Sequence, residues 1–435
     1  MKNAPASAQR LLRTVNDNIV TILVLAFTLV GFMVSSGVMV NVFLTELTER
    51  ITRNAVLILS LIIPIVAGLG LNFGIIIGAM SAQLAVIVVR YHNIGGIPGL
   101  LLCVLIATPI AIVCGFLTGK LYNKTRGQEM IASLIVGFFA DGVYQFICLF
   151  VIGAIIPVTA NHPMINPHGI GIRNTVDFAP ASEGGLKYVL DSMVQVPFVY
   201  MLLAVSLVLL AASVFLFLRG RKKPEGARPS PVGFGVNVAL CAAGIIISLW
   251  SIATNSALML VRKAPLATII VIAIVCVFMW VIQRTKLGQD FRSVGQSQHI
   301  AEVAGINVNR TRIIATIFST VLAAWGMIIY LQNMGTLNVY GAHQNIGIFS
   351  VAAILVGGAS ASYATIKHGI FGAVLFNAMF IISPEVGRAI FGNEAQLGEY
   401  FRSFMVYGVI GVALGLYVWK NAKENRLTLE SLERR

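Results

Sequence analysis

Asp141, Asn72, Gln83, Gln145 and Asn377 stand out because each lies in or beside a long apolar run. A carboxylate surrounded by hydrocarbon is expensive, and it marks a solute or ion path by default. The plainer use of Asp141 is a bond to a neighbouring helix, or packing beside Gly142. The four amides suit a neutral, hydroxyl-rich solute, although such groups also bond helix to helix. Trp325 and Phe376 offer ring faces for a sugar or a base, whereas an aromatic in such a run more commonly packs. Catalytic chemistry has less to stand on. The histidines (His92, His162, His168, His299, His343, His368) are scattered, and none pairs with another ligand at helical spacing. A metal site is therefore not expected. The cysteines lie in apolar segments without a CxxC, which leaves no disulfide or zinc framework.

The elements that must position these residues follow from composition. Of 435 residues, 57% are hydrophobic and 11% charged, against about 25% charged in a soluble domain. The expected class is an all-α polytopic membrane protein. A span needs about 20 apolar residues. Candidate spans fall at 19–40, 99–121, 131–157, 197–218, 233–252, 265–282, 313–331, 367–382 and 404–418. The first is read as a retained helix, since it is too long for a signal-peptide core and lacks a small-residue cleavage site. Two further blocks, 55–89 and 346–362, are interrupted by glycines around 67–74 and 357–358. Backbone breaks at that depth are tolerated only where protein or a cavity satisfies the freed groups. The total is about 10–11 transmembrane helices, with two broken, half-spanning segments in a duplicated arrangement. The chain divides into a first half (19–218), a basic loop with an extra span (219–264), a second half (265–420) and a tail (421–435), all within one transmembrane domain.

Charge sets the orientation. The formal net charge is +14, with 31 Lys and Arg against 17 Asp and Glu. Most of the basic residues fall in connections that share one side, as the positive-inside rule requires of cytoplasmic loops. This places both termini in the cytoplasm and the chain in the plasma membrane. Arg262 and Lys263 are exceptions, because they fall in an outer connection. The RGRKK run after Leu218 anchors beside anionic headgroups, so no nucleic-acid partner is needed. The outer segment 158–195, rich in Pro, Gly, Asn and His, is long enough to form a cap.

The cytoplasmic segment 285–312 is the most informative soluble piece. Ser297 is placed to cap a short helix, Ile300, Ala301, Val303 and Ala304 give it an apolar face, and Gly305 ends it. Small residues favour docking to a protein groove over insertion into lipid. Glu129 suits the positive end of a helix.

Val294-Gly-Gln296, Ala301 and Ala304-Gly-Ile-Asn-Val308 resemble the coupling loop of ABC-importer permeases of the branched-chain amino acid, simple sugar and nucleoside type. Gly68-Leu-Gly-Leu-Asn-Phe-Gly74, Gly127–Leu134 and the block AAILVGGASAS (352–362) resemble other segments of that branch, so the likeness covers about 55–160 and 265–420. The 219–264 segment and Leu322–Met327 depart from the pattern. The resemblance implies a non-enzymatic transport subunit that binds no cofactor and pairs with a second permease copy or a paralogue. A separate ATP-binding subunit would use the ATP and dock on Gly295, Gln296, Ala301, Glu302, Ala304 and Gly305. An extracytoplasmic binding protein would deliver the solute. No GxxxxGK[ST] loop occurs here to cradle nucleotide phosphates. The expected pathway residues are Asn72, Gln83, Asp141, Gln145 and Asn377. Sugar or nucleoside leads as substrate, with a branched-chain amino acid or a proton-coupled secondary transporter using Asp141 as alternatives. An intramembrane lipid enzyme would need a nucleophile and base at one depth, and no such arrangement is evident.

Overall fold

A computed structural model describes residues 18–34, 39–159, 162–166, 170–180, 184–221, 231–392 and 394–433. Lys2, Arg10, Arg13, His168 and the Lys222–Lys223 part of the basic run lie outside them. The chain is a multi-pass, all-α membrane protein. Among the described residues, seven helices are long and apolar enough to cross a bilayer. They are α5 (Gly96–Lys124), α6 (Glu129–Phe146, continued by a π turn at Ile147–Val151), α8 (Phe198–Arg221), α9 (Pro231–Thr254), α10 (Leu266–Arg284), α13 (Val308–Met334) and α15 (Ile366–Phe391). Shorter apolar helices are α1 (Ile19–Val34), α4 (Ile75–Tyr91) and α14 (Ile346–Val356). A last helix, α16, runs over Ala395–Glu433.

The sequence reading left out one helix. The expected span at 19–40 stops at Val34, and a new helix, α2 (Val40–Leu59), fills the interval before the 55–89 block. Glu46, Glu49, Arg50 and Arg53 keep its apolarity below that of a span. Its spacing nevertheless supports a helix, since Glu46 and Arg50 lie one turn apart and pair at 3.5 Å. After it come the five-residue α3 (Ile62–Val66), the non-helical stretch 67–74 and then α4. The second interrupted block behaves similarly, with α14 followed by a turn at 357–365 and then α15. The 11 residues of α14 reach about 16 Å at 1.5 Å each, short of the roughly 30 Å of hydrocarbon.

The centre of the bundle is α13, which packs against α2, α4 and α5, while α15 lies against α1, α2, α14 and α16. The 219–264 segment is peripheral: α9 packs chiefly on α8, with Phe217 and Phe234 stacked 4.0 Å apart. Residues such as Leu216, Leu240 and Trp250 point outward, as lipid-facing positions do.

One end of the bundle carries α11 (Lys286–Gln296) and α12 (Gln298–Val303). The other carries a cap of short strands. There β1 (Thr175–Asp177) pairs antiparallel with β4 (Thr336–Asn338), and β2 (Gln195–Val196) with β3 (Ala264–Pro265). The short helix α7 (Val189–Met193) anchors the cap. Its buried Asp191 accepts hydrogen bonds from Thr268 and, at 2.7 Å, from Asn333 Nδ2. Arg262 is accounted for here, since it pairs with Glu49 at 2.6 Å and lies over the Tyr188 ring.

At the α11–α12 end, Arg312 is fully buried and bonds Glu129 at 2.6 Å and the Tyr122 carbonyl at 2.9 Å. Glu129 therefore does more than suit a helix N-terminus. Removing one partner of such a pair strands the other charge, at about 3–5 kcal/mol. Arg312→Met should thus lower the thermal midpoint of the purified protein markedly. The double variant Arg312→Met/Glu129→Leu should recover much of the loss; equal loss in both would show that the pair is not what holds this junction.

Candidate functional site

The five expected pathway residues do not converge on one place. Asn72 sits in the 67–74 break, 2% exposed. Its Oδ1 accepts from the Gly74 N–H at 2.9 Å and from Tyr122 Oη at 2.8 Å, while Nδ2 donates weakly to Ser319 Oγ at 3.4 Å. The neighbouring Phe73 N–H donates to Ser133 Oγ at 3.1 Å. Ser133 of α6 and Asn72 itself thus accept from a backbone that has left the helix, while Tyr122 of α5 and Ser319 of α13 hold the Asn72 side chain. Asn72 is a fastening of the break.

Gln83, Asp141 and Gln145 do meet, around a residue that sequence reasoning passed over as one of six scattered histidines. His343 lies in the 339–345 connection between β4 and α14 and is completely buried. Its Nε2 is 2.7 Å from Asp141 Oδ1, and its Nδ1 is 3.0 Å from Gln83 Oε1. Gln145 Nε2 donates to the same Asp141 oxygen at 3.0 Å, and the Tyr144 ring stands edge-on to the imidazole at 5.1 Å. The cluster ties α4, α6 and the loop into α14 together. No sequence signal pairs residues 83, 141 and 343, because the contact depends on tertiary placement.

Asn377 belongs to a third place, a cavity of about 210 Å³ between α2, α13, α14 and α15. Asn54 Nδ2 donates to Asn377 Oδ1 at 3.2 Å across it. Its wall includes Arg50, Arg53, Tyr330, Phe349, Phe376 and Phe380. Phe376, a candidate ring face, lines the cavity. Trp325 instead donates its indole N–H to Thr108 at 3.0 Å, joining α13 to α5. Arg50 also lines a neighbouring cavity of about 380 Å³, which carries Glu46, Glu385, Arg388, Glu399 and Arg402. A charged vestibule therefore adjoins an aromatic and amide-lined chamber. The arginines of α2 were missed because they fall outside every hydropathy-based span.

The α11–α12 loop folds much as its sequence suggests. Ser297 Oγ caps α12 by accepting from the Ile300 N–H at 3.3 Å, and Gly305 follows in a left-handed conformation, φ +79°. The apolar face differs from expectation. Ala301 is buried with Val294 and Val308, but Ile300 and Val303 are 68% and 78% exposed and Ala304 is also exposed. Those side chains face away from the bundle because Ala301, on the opposite face, packs on Val294 and Val308; Glu302 lies 3.6 Å from Arg126. Arg126 also bonds Asn309 at 2.7 Å. The loop meets the break directly: a Cβ on Gly295 would lie 2.2 Å from the Val66 carbonyl oxygen, and one on Gly68 would lie 2.8 Å from Gly295 Cα. Gln296 is exposed at the end of α11. Among the described residues, no group of three His, Cys, Asp or Glu side chains is arranged to hold a metal.

Over residues 180–410, just over half its length, the chain matches the family described as "Branched-chain amino acid transport system / permease component". It is 31% identical over 111 residues to the probable ABC transporter permease protein YphD of Escherichia coli strain K12, covering 26% of this chain and 32% of that protein. It is 28% identical over 142 residues to the autoinducer 2 import system permease protein LsrC of Klebsiella pneumoniae, covering 32% and 40%. With the guanosine ABC transporter permease protein NupP of Bacillus subtilis it shares 28% identity over 115 residues, covering 26% and 32%. The chain thus spans only about a third to two fifths of the length of these relatives. No solved structure matches it.

Gly295→Ala forces the loop off the break, because a backbone oxygen cannot yield as a flexible side chain would. A Cβ at Gly305 meets no atom within 4 Å, so Gly305→Val chiefly carries the cost of a left-handed backbone, about 1–2 kcal/mol. Hydrogen exchange in 67–74 should therefore rise more in Gly295→Ala than in Gly305→Val. The reverse order would contradict this placement of the contact.

Proposed function

We propose that this chain, which belongs to the branched-chain amino acid transport system / permease component family, forms half of the solute pathway of an ATP-driven importer. The solute is a simple sugar or nucleoside. ATP is hydrolysed by a separate subunit docked on the α11–α12 loop, and this chain binds no cofactor. The α11–α12 end faces the cytoplasm together with both termini, and the strand-bearing cap faces outward, where a solute-binding protein releases its cargo. A second copy or a paralogous permease completes the pathway. The names of the relatives favour this substrate class, since they include fructose, xylose and guanosine permeases.

One observation carries the coupling part of the proposal. The exposed Ile300 and Val303 form an apolar step on a charged helix end, while the underside of the same loop rests on the broken segment. A partner that grips the step moves Gly295, and with it Val66 and Gly68. Asn72 then carries the displacement to Tyr122 and Ser319.

The solute chamber is assigned to the cavity at Asn54 and Asn377. Amides and aromatic faces there supply the hydrogen bonds and ring contacts that sugars and bases require. Gln83, Asp141 and Gln145 act beside this chamber, because the loop that His343 anchors also contributes Gly341, Ala342 and Asn345 to its wall.

The alternative of proton coupling through Asp141 is separable. In the ATP-driven reading, Asp141→Asn retains uptake that requires ATP and is indifferent to a proton ionophore, although the His343 contact weakens. Loss of uptake together with ionophore sensitivity of the parent protein would place a proton-coupled transporter first. Mild-detergent purification from native membranes should bring down an ATP-binding subunit. Recovery of the chain alone, under conditions that keep a known importer intact, would count against the proposal.

A further inference from the structure

Three arginines at the chamber and its vestibule have a carboxylate partner, and a fourth does not. Arg50 pairs with Glu46 at 3.5 Å, Arg388 with Glu385 at 2.9 Å, and Arg402 with Glu399. Arg53, one helical turn along α2 from Arg50, has no carboxylate within ion-pair distance among the described residues. Glu49, one turn back, is taken by Arg262. The Arg53 guanidinium lies 5.4 Å from the centre of the Tyr330 ring, and its Nη1 is 2.8 Å from Met334 Sδ, a weak acceptor. Its Nε is buried without a hydrogen-bond partner. The chamber wall holds Arg50 and Arg53 and no Asp or Glu. A cation partly withdrawn from water with unused donors is costly unless something supplies acceptors.

We infer that the transported solute carries an oxyanion, a carboxylate or phosphate on a sugar or nucleoside, and that Arg53 receives it. The inference rests on the permease reading above. The planar guanidinium fork matches a carboxylate or phosphate with two parallel N–H donors, a geometry that lysine lacks. Arg53 lines the cavity beside the Tyr330 ring, so a solute in the chamber comes within reach of the guanidinium. Phe349 and Phe376 then lie against the body of the solute. The same wall has no acid to receive an ammonium group, so an amino-acid zwitterion is only half accommodated. At about 210 Å³, below the roughly 300–1,000 Å³ of drug-sized sites, the cavity favours a single-ring sugar over the larger nucleoside.

The test uses the full chain in lipid nanodiscs and calorimetric binding of two matched pairs: ribose 5-phosphate against ribose, and glucuronate against glucose. A hydrogen bond to a charged group contributes about 1.5–3 kcal/mol, so at least one anion should bind about tenfold or more tightly than its neutral partner. Arg53→Gln should abolish that preference, bringing the anion down to the affinity of its neutral partner, and Arg53→Lys should keep part of it. Which anion is preferred identifies the oxyanion. Equal binding within both pairs, or a preference that survives Arg53→Gln, overturns the inference and leaves the permease reading standing. Failure of all four probes to bind removes the chamber assignment itself.

Discussion

The close approach of two backbones, Gly295 of α11 against Val66 and Gly68 at the break, is the contact on which the rest depends. No side chain intervenes, so the loop and the broken segment move as one piece or separate altogether. The constraint is severe because a chain in hydrocarbon must satisfy every backbone polar group internally. A break at 67–74 is tolerated only because Pro64, Asn72 and Ser133 take up the freed N–H groups of Leu69, Gly74 and Phe73. Those same bonds fix where the break points. What looks like a weakness in the helix is a hydrogen-bonded corner that presents a glycine to the loop.

From that corner two routes lead toward the chamber. One passes through Asn72 and Tyr122 into α5 and α13, the buried centre of the bundle. The other follows α6, whose first turn is held by the Glu129–Arg312 pair and whose later turns hold His343 through Asp141. Because His343 anchors a loop that lines the chamber, a tilt of α6 changes the chamber wall. Both routes are chains of packed and hydrogen-bonded groups, the kind of connection through which displacement at one site biases another. The paired vestibule charges and the unpaired Arg53 lie at the far end of this path.

Much of the architecture was legible because apolar length is a strong signal in a membrane protein. The spans from α5 onward were placed to within a few residues, with α15 and α16 running longer than their apolar cores. The cap on Ser297 and the stop at Gly305 were legible because both are local rules of backbone hydrogen bonding. The helix α2 was not, since four charges in 14 residues resemble a connection until Arg50 and Arg53 are seen to face a cavity rather than lipid. Gln83, Asp141 and Gln145 were singled out as polar residues in apolar runs, and their meeting at His343 depends on a loop about 200 residues further along the chain. The apolar face of α12 was visible, but only tertiary contact decides that Ala301 turns inward while Ile300 and Val303 turn out.

The central claim is that the loop and the break respond together. Hydrogen exchange read by mass spectrometry, on the nanodisc-embedded chain with and without the proposed ATP-binding subunit and a non-hydrolysable nucleotide, measures this directly. The account predicts that protection changes in 285–312 and in 67–74 appear together, at the same subunit concentration. A change confined to 285–312, with the break unaltered, would contradict it.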